Sequence, residues 1–291
     1  MHRCLSVTIV GLAAAVTGLT TSCGRFGFGP HEGSASAPPP DTTPTDAAPT
    51  DAAPTDAGAD IPAGCAVLFR MNETAWIDHG SGAGSAAPGA TDLRNACDDG
   101  NPGQAFGAPS PIADQIRGTV GNFNDHSCVQ LAQEAPARAT TAVTTSAWVR
   151  MTGDPANSFG VVSKRVDVNT GNEYSMFVWT DSHVFADIDG INDRFAGPAT
   201  ISTGVWTQIT MVYDGSRPPA ERVRLYVNGA LDQIGGETSA TIPQTHSPLS
   251  IGCLPLGGVA QSFIGQLDDV GVWTRALSDA EVAAWYALTR K

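Results

Sequence analysis

Asp187 and Asp189 stand two places apart, with Asn192 and Asp193 close behind. On an extended strand, residues two apart share a face at about 6.6 Å, near enough for paired acids to exchange a proton with a substrate or to hold a cation. The same stretch also reads as a hairpin, because Asp189-Gly190 is a turn signal between Val184 to Ile188 and Arg194 to Ala196. Asp268 and Asp269 form a second acidic pair, but neighbours on a strand point to opposite faces, so these two are expected not to converge. Between two expected strands, Asp167-Val168-Asn169-Thr170-Gly171-Asn172-Glu173 places four oxygen-bearing side chains in seven residues, the donor chemistry that calcium takes from loops.

Other chemistries lack their residues. The chain has no Gly-x-Ser-x-Gly elbow for a serine nucleophile and no Gly-x-x-x-x-Gly-Lys-Ser/Thr loop for a phosphate. His79, His126, His183 and His246 have no Ser or Cys ordered beside them, and no catalytic residue is assigned. With 29 acids against 16 basic residues and a net charge of −13, the patch that neutralises a phosphate backbone is missing, which excludes a nucleic-acid partner. Among the aromatics, Trp148, Trp206 and Trp273 lie inside strand patterns and are expected in the core. Trp76, beside a turn at Asp78 to Gly82, and Trp179, at the end of a strand, are the two expected to contact a ligand.

The segments that hold these residues alternate with a period of two. Val223, Leu225 and Val227 alternate with Arg222, Arg224 and Tyr226, and Asn228-Gly229 then turns the chain, a hairpin signal. Similar strands are expected at Ala66 to Met71, Thr144 to Met151, Gly160 to Lys164, Tyr174 to Thr180, His183 to Ile188, Trp206 to Tyr213, Leu249 to Cys253 and Phe263 to Trp273. One helix is expected near the end: Ser278 and Glu281 form a capping box, and Val282, Trp285, Tyr286 and Leu288 share a face. Many short antiparallel strands, 32 glycines and 20 prolines, and only 15% charged residues imply a two-sheet sandwich or jelly roll.

Three regions follow from composition. Residues 1–23 read as an export signal of the lipoprotein type: His2 and Arg3, an apolar run from Leu5 to Leu19, then Thr20, Thr21, Ser22 and Cys23, the expected site of lipidation. Such signals have a Leu three places before the Cys; here it sits one place early, and Gly24 after the Cys implies outer-membrane sorting by analogy. Residues 24–62 are a Pro/Thr/Ala/Asp-rich linker, with Thr45-Asp46-Ala47-Ala48-Pro49 repeated as Thr50-Asp51-Ala52-Ala53-Pro54. A five-residue period presents no apolar face, so this segment is expected to be a disordered spacer of up to roughly 120 Å. Residues 63–291 form one domain with four cysteines, Cys65, Cys97, Cys128 and Cys253, whose spacing does not suit zinc. Two disulfides have three connectivities; Cys65 with Cys97 and Cys128 with Cys253 is preferred, since it joins neighbours and then closes one long loop.

Thr144 to Arg150, Gly204 to Ile209 with Tyr213-Asp214-Gly215, Leu225 to Gly229, and Phe263 to Val270 with Arg275 to Ser278 and Glu281 resemble, in order, the laminin-G-like jelly roll of the concanavalin A-like lectin/glucanase superfamily. The resemblance covers most of residues 65–288 and implies an all-β, two-sheet antiparallel jelly-roll sandwich with one short C-terminal helix. It implies ligands on a loop-built edge or a sheet face, but sugar binders, hydrolases and adhesion modules share this fold. The Glu-x-Asp-x-x-Glu strand of its glycosidases has no match here. The loop ending in Glu173 resembles the pentraxin branch, which implies calcium near Asp167, Asn169, Asn172 and Gln261, although Cys253-Leu254-Pro255 replaces that branch's acidic cluster. The resulting expectation is a membrane-anchored binding module outside the cytoplasm. Its partner would be a glycan or a surface protein, calcium its one candidate cofactor, and a lipid its sole contact with the membrane. A carbohydrate-active hydrolase and a passive adhesion subunit remain the alternatives.

Overall fold

The computed structural model describes residues 61–80, 89–153, 159–167, 171–189, 194–256 and 259–291. The expected signal, Cys23 and the linker up to Asp60 lie outside these residues, as do Asn169, Gly190, Asn192 and Asp193.

In chain order the strands are β1 (Cys65–Phe69), β2 (Gly103–Phe106), β3 (Ser110–Asp114), β4 (Gly118–Phe123), β5 (Cys128–Leu131), β6 (Ala142–Met151), β7 (Phe159–Arg165), β8 (Asn172–Val178) and β9 (His183–Ile188). They continue as β10 (Phe195–Thr200), β11 (Thr207–Asp214), β12 (Val223–Val227), β13 (Ala230–Gly235), β14 (Leu249–Ile251), β15 (Cys253–Leu256), β16 (Val259–Ser262) and β17 (Gly265–Trp273). One α-helix, α1 (Asp279–Thr289), follows. An eight-stranded sheet runs β13-β12-β11-β6-β17-β4-β3, with β1 also paired to β17, and a seven-stranded sheet runs β10-β9-β8-β7-β14-β5-β2. All of these pairs are antiparallel, and β15–β16 is a separate hairpin. The jelly-roll sandwich and its short C-terminal helix, the one α-helix among the described residues, are therefore present. No helix among the described residues is long and apolar enough to cross a membrane.

Alternation along the strands builds the core. Val143, Ala147, Val149, Ile209, Met211 and Tyr213 of the larger sheet face Val161, Tyr174, Met176, Val178, Val184 and Ile188 of the smaller one, all but fully buried. Each such apolar side chain contributes roughly 1.5–3 kcal/mol relative to exposure. Between β12 and β13, Asn228 and Gly229 both take positive φ, 51° and 75°, as a two-residue type I′ turn requires. The capping box forms as expected, Glu281 N–H donating to Ser278 and Glu281 accepting from the Ser278 N–H.

A second, smaller apolar cluster lies on the outer side of the larger sheet, where Trp273, Tyr226, Val212 and Leu68 meet Leu277, Val282 and Trp285. Of the three tryptophans expected in the core, Trp148 and Trp273 are buried, in this outer layer under α1, whereas Trp206 is corrected to half-buried beside them. The strands' outward positions are apolar because a helix covers them. Pro62 and Ala63 also reach this layer, their carbonyls accepting from Trp273 Nε1 at 2.9 Å and Arg275 Nε at 2.6 Å. Cys65 is bonded to Cys97, and Cys128 to Cys253.

Candidate functional site

The outer face of the smaller sheet carries the polar rows that a ligand could read. Register aligns Gln104, Gln130, Ser250, Ser163, Ser175 and Asp187 side by side across six strands. Hairpin β15–β16 crosses this row at its middle. Ser163 Oγ donates to the Cys253 carbonyl at 2.8 Å, and a methyl group on Gly160 would fall 2.3 Å from Cys253 C, so glycine is what admits the hairpin. The Cys128–Cys253 bond ties the same hairpin to β5.

Beyond the hairpin, toward β8 and β9, the next row is aromatic. Phe177 and Phe185 stack with centroids 5.6 Å apart, and Trp179 packs edgewise on Phe177 at 6.0 Å and tilted on Phe185 at 5.9 Å. Trp179 and Phe185 are half-buried, while Phe177 is buried. Trp179 sits where β8 turns into β9, its N–H and carbonyl both engaged, to His183 O at 3.0 Å and from Ser182 N at 2.9 Å. The Arg194 guanidinium lies 4.9 Å over its ring. One row away, Asp187 is paired with Arg165 at 3.1 Å, both buried. Burial pulls the Arg165 pKa down and the Asp187 charge opposes that shift. A half-exposed aromatic surface therefore lies beside a buried ion pair, and the aromatic surface is the part that can pack against the C–H face of a sugar.

Of the expected calcium set, Asn169 lies outside the described residues, and the structure places Asp167, Asn172 and Gln261 as follows. Asn172 is buried, donating its amide to the Asp189 carbonyl and accepting from Ser175 Oγ at 3.2 Å. Asp167 lends its carbonyl to Arg165 Nε at 2.9 Å. Gln261 pairs with Leu254, which lies against Gly160, whereas Asn172 pairs with Arg165, five residues or roughly 16 Å further along β7. Glu173 carries the decisive contact: its Oε1 accepts from the buried Lys164 ammonium at 3.0 Å, so a cation already occupies that carboxylate. Lys164 also reaches Glu134 at 3.0 Å, and Arg138, then Lys164 and His246, hold the Glu134 pKa down at about 2. Among the described residues no group of three or more His, Cys, Asp or Glu could hold a metal ion.

Two further expectations change. Trp76, expected to meet a ligand, is only 8% exposed; its ring packs on Phe123 and its Nε1 donates to Glu73 at 3.0 Å. Asp268 and Asp269 do converge. A register shift between Asp268 and Gly271 and a φ of +46° at Asp269 form a bulge that turns both acids to one side. There Arg117 bridges them, Nε to Asp268 and Nη2 to Asp269, each at 2.7 Å. Burial and the charge of Asp269 push the Asp268 pKa up to about 7. Arg117 also lies 4.3 Å over Trp148 and 5.4 Å over Trp206, and donates to the Thr289 carbonyl at 3.1 Å, so this acidic pair anchors α1 to the sheet. Asp189, with a φ of +64°, is the turn residue of the hairpin reading and accepts from Ser239. The sequence did not single out Phe177, Phe185, Arg165 or Arg194 for the site; alternation with inward Tyr174, Met176 and Val178 was the available signal.

Solved structures with the same architecture include domain 4 of AbnA, a GH43 extracellular arabinanase from Geobacillus stearothermophilus, in complex with arabinotriose: TM-score 0.55, 14% identity, covering 78% of this chain and 98% of that one. A botulinum neurotoxin type C chain, whose cell entry depends on two ganglioside molecules, matches at TM-score 0.55 and 8% identity over 80% of this chain and 53% of that one. The binding domain of botulinum neurotoxin DC in complex with SialylT matches at TM-score 0.55 and 9% identity over 78% and 52%. The chain thus spans about half the length of the neurotoxin chains, and at these identities the likeness is one of fold. No curated protein matches the sequence. A laminin-G family model described as the Concanavalin A-like lectin/glucanases superfamily matches residues 123–283, more than half of the 291. Two stacked antiparallel sheets and this match together make the chain a member of the concanavalin A-like lectin/glucanases superfamily.

Proposed function

We propose that this protein is a non-enzymatic, exported glycan-binding module that reads sugar through the aromatic flank of its smaller sheet. The observation that carries the reading is the half-exposed Trp179–Phe185 pair beside the Arg165–Asp187 ion pair. Neighbours of the same fold solved with arabinotriose, or described with gangliosides, support it by analogy. Asp187, Asp268 and Asp269 are engaged by arginines and Asp189 by a hydroxyl, which favours binding over hydrolysis. Calcium has no role in this reading, because Lys164 already neutralises Glu173. Export is supported by the two disulfides, which persist in oxidising compartments. Within the same proposal, residues 1–23 are the signal, Cys23 the lipid anchor, 24–62 the spacer, and 63–291 the binding domain. Loss of labelled fatty acid incorporation in Cys23→Ala tests the anchor.

The binding test is a glycan array probed with the full chain, with and without calcium, followed by calorimetry on the hits. Binding that is indifferent to calcium and at least tenfold weaker in Trp179→Ala is expected. An array with no hits, or equal affinity in Trp179→Ala, overturns the reading.

A further inference from the structure

On the opposite side of the molecule, a depression of about 390 Å³ opens between the end of α1 and the outer face of the larger sheet. Its walls include Trp148, Trp206 and Tyr286, three cationic side chains, Arg117, Arg290 and Lys291, and no Asp or Glu. In a chain of 29 acids and 16 basic residues that exclusion is a local inversion of charge. Arg117 and Lys291 are balanced from beneath by Asp268 and Asp269, with Lys291 Nζ 3.6 Å from Asp268. Arg290 is not: it is exposed, its guanidinium stands 5.8 Å over the Tyr286 ring, and it has no carboxylate partner among the described residues.

The rim adds an independent observation. Ile116 and Val205, 60% and 54% exposed, have the highest exposures among the large apolar side chains described, and both line this depression. Trp, Tyr and Arg are the residues that dominate interface hot spots, and here two water-facing aliphatics rim a pocket lined by them. The indole faces argue against a sugar here. Trp148 is covered by Arg117 at 4.3 Å and by Tyr286 at 5.6 Å, and Trp206 has Arg117 and Arg150 over it at 5.4 and 5.0 Å, so open aromatic faces for stacking are scarce and aliphatic surface is what is offered.

We infer that this depression is a docking site for an acidic peptide segment of a partner protein. A bulky apolar side chain of the peptide seats between Ile116, Val205 and the ring edges, and flanking carboxylates meet Arg290 and Lys291. The inference is independent of the glycan reading, since the two sites lie on the outer faces of different sheets.

The test pans a displayed random-peptide library on the full chain, with Val205→Asp and Arg290→Glu chains as counter-selection. Both positions are exposed, and unchanged thermal melting verifies that the variants fold. Recovered sequences are expected to pair an aliphatic or aromatic residue with Asp or Glu. A synthetic peptide of the consensus should shift the indole N–H resonances of Trp148 and Trp206, with affinity at least fivefold weaker in either variant and falling as salt rises from 50 to 300 mM. The inference is overturned if no peptide distinguishes wild type from the variants, if the enriched peptides carry no acids, or if glucuronate moves those two resonances while the consensus peptide does not.

Discussion

The outer faces of the two sheets carry the same residue types to different ends. On the larger sheet, Trp148, Trp206, Arg117, Asp268 and Asp269 form a ladder in which rings alternate with guanidinium groups and each acid is bonded to Arg117. Helix α1 closes over it, through Thr289 bonded to Trp148, Gln208 and Arg117. On the smaller sheet, a hairpin covers the middle of the polar row and leaves Trp179 and Phe185 half-exposed at its flank. An aromatic residue near a charge is thus no sign of a binding site by itself. What separates the two faces is the cover: α1 closes over the rings of the larger sheet, whereas Trp179 and Phe185 keep part of their surface exposed.

That contrast can be broken from either side. Removing the bridge that holds the hairpin down, with Cys128→Ser and Cys253→Ser together, should have the largest effect: the bond closes a separation of 125 residues, which corresponds to about 4 to 5 kcal/mol. Guanidinium unfolding should show that loss, and a change below about 1 kcal/mol would mean that the hairpin is held by its packing on β7 alone. On the other face, Arg117→Met leaves two buried carboxylates without their bridge, an expected loss of about 3 to 5 kcal/mol in the same assay. Glycan affinity at a temperature where that variant is folded should match wild type, because the ladder is remote from Trp179. An affinity loss without unfolding would join the two faces functionally and undo the distinction.

Much of the architecture was legible from the period-two pattern, the Asn228-Gly229 turn and the Ser278 capping box, since each is a local rule that local residues satisfy. Strands β2 and β3, four and five residues long and built on Gly103-Gln104 and Ser110-Pro111, gave no such pattern and form only because β5 and β4 supply their partners. The candidate site was half legible. Trp179 is identifiable at a strand end, but Phe185 and Arg194 reach it only through the β8–β9–β10 meander. Asp268 and Asp269 were misread because strict alternation fails at a bulge, and a bulge is fixed by the two neighbouring strands. The partner of Glu173 was hidden for a similar reason: Lys164 comes from the adjacent strand and is invisible to spacing within the loop.

Smaller effects sharpen the comparison. Trp179→Ala should lower glycan affinity by tenfold or more, about 1.4 kcal/mol. Its melting temperature should fall by no more than a few degrees, because the ring is half-exposed and rests on Phe177 and Phe185 of the sheet's outer face instead of filling the core between the sheets. A stability loss as large as that of Arg117→Met would make Trp179 a structural residue like Trp148.

Asp268 yields the subtlest test, a pH dependence. Its folded pKa is raised to about 7 from 3.8, chiefly by burial and then by Asp269, so the folded state keeps a proton that the unfolded chain has already released. The stability linked to that proton is fully present below about 4 and is lost as pH rises to about 7. Glu134 and Glu281 run the other way: both are lowered to about 2 from 4.5, by Arg138 and by Arg275 first, so their contribution is present above 4.5 and lost as pH falls through 2. The windows overlap only between about 3.8 and 4.5. Between pH 5 and 7 the melting temperature of wild type should therefore fall relative to that of Asp268→Asn, by an amount on the order of 2 to 4 °C, the shift that about 1 kcal/mol makes in a domain of this size. Parallel profiles for the two proteins would show that Arg117 fully compensates Asp268, and that the ladder under α1 is ionic at every pH in that range.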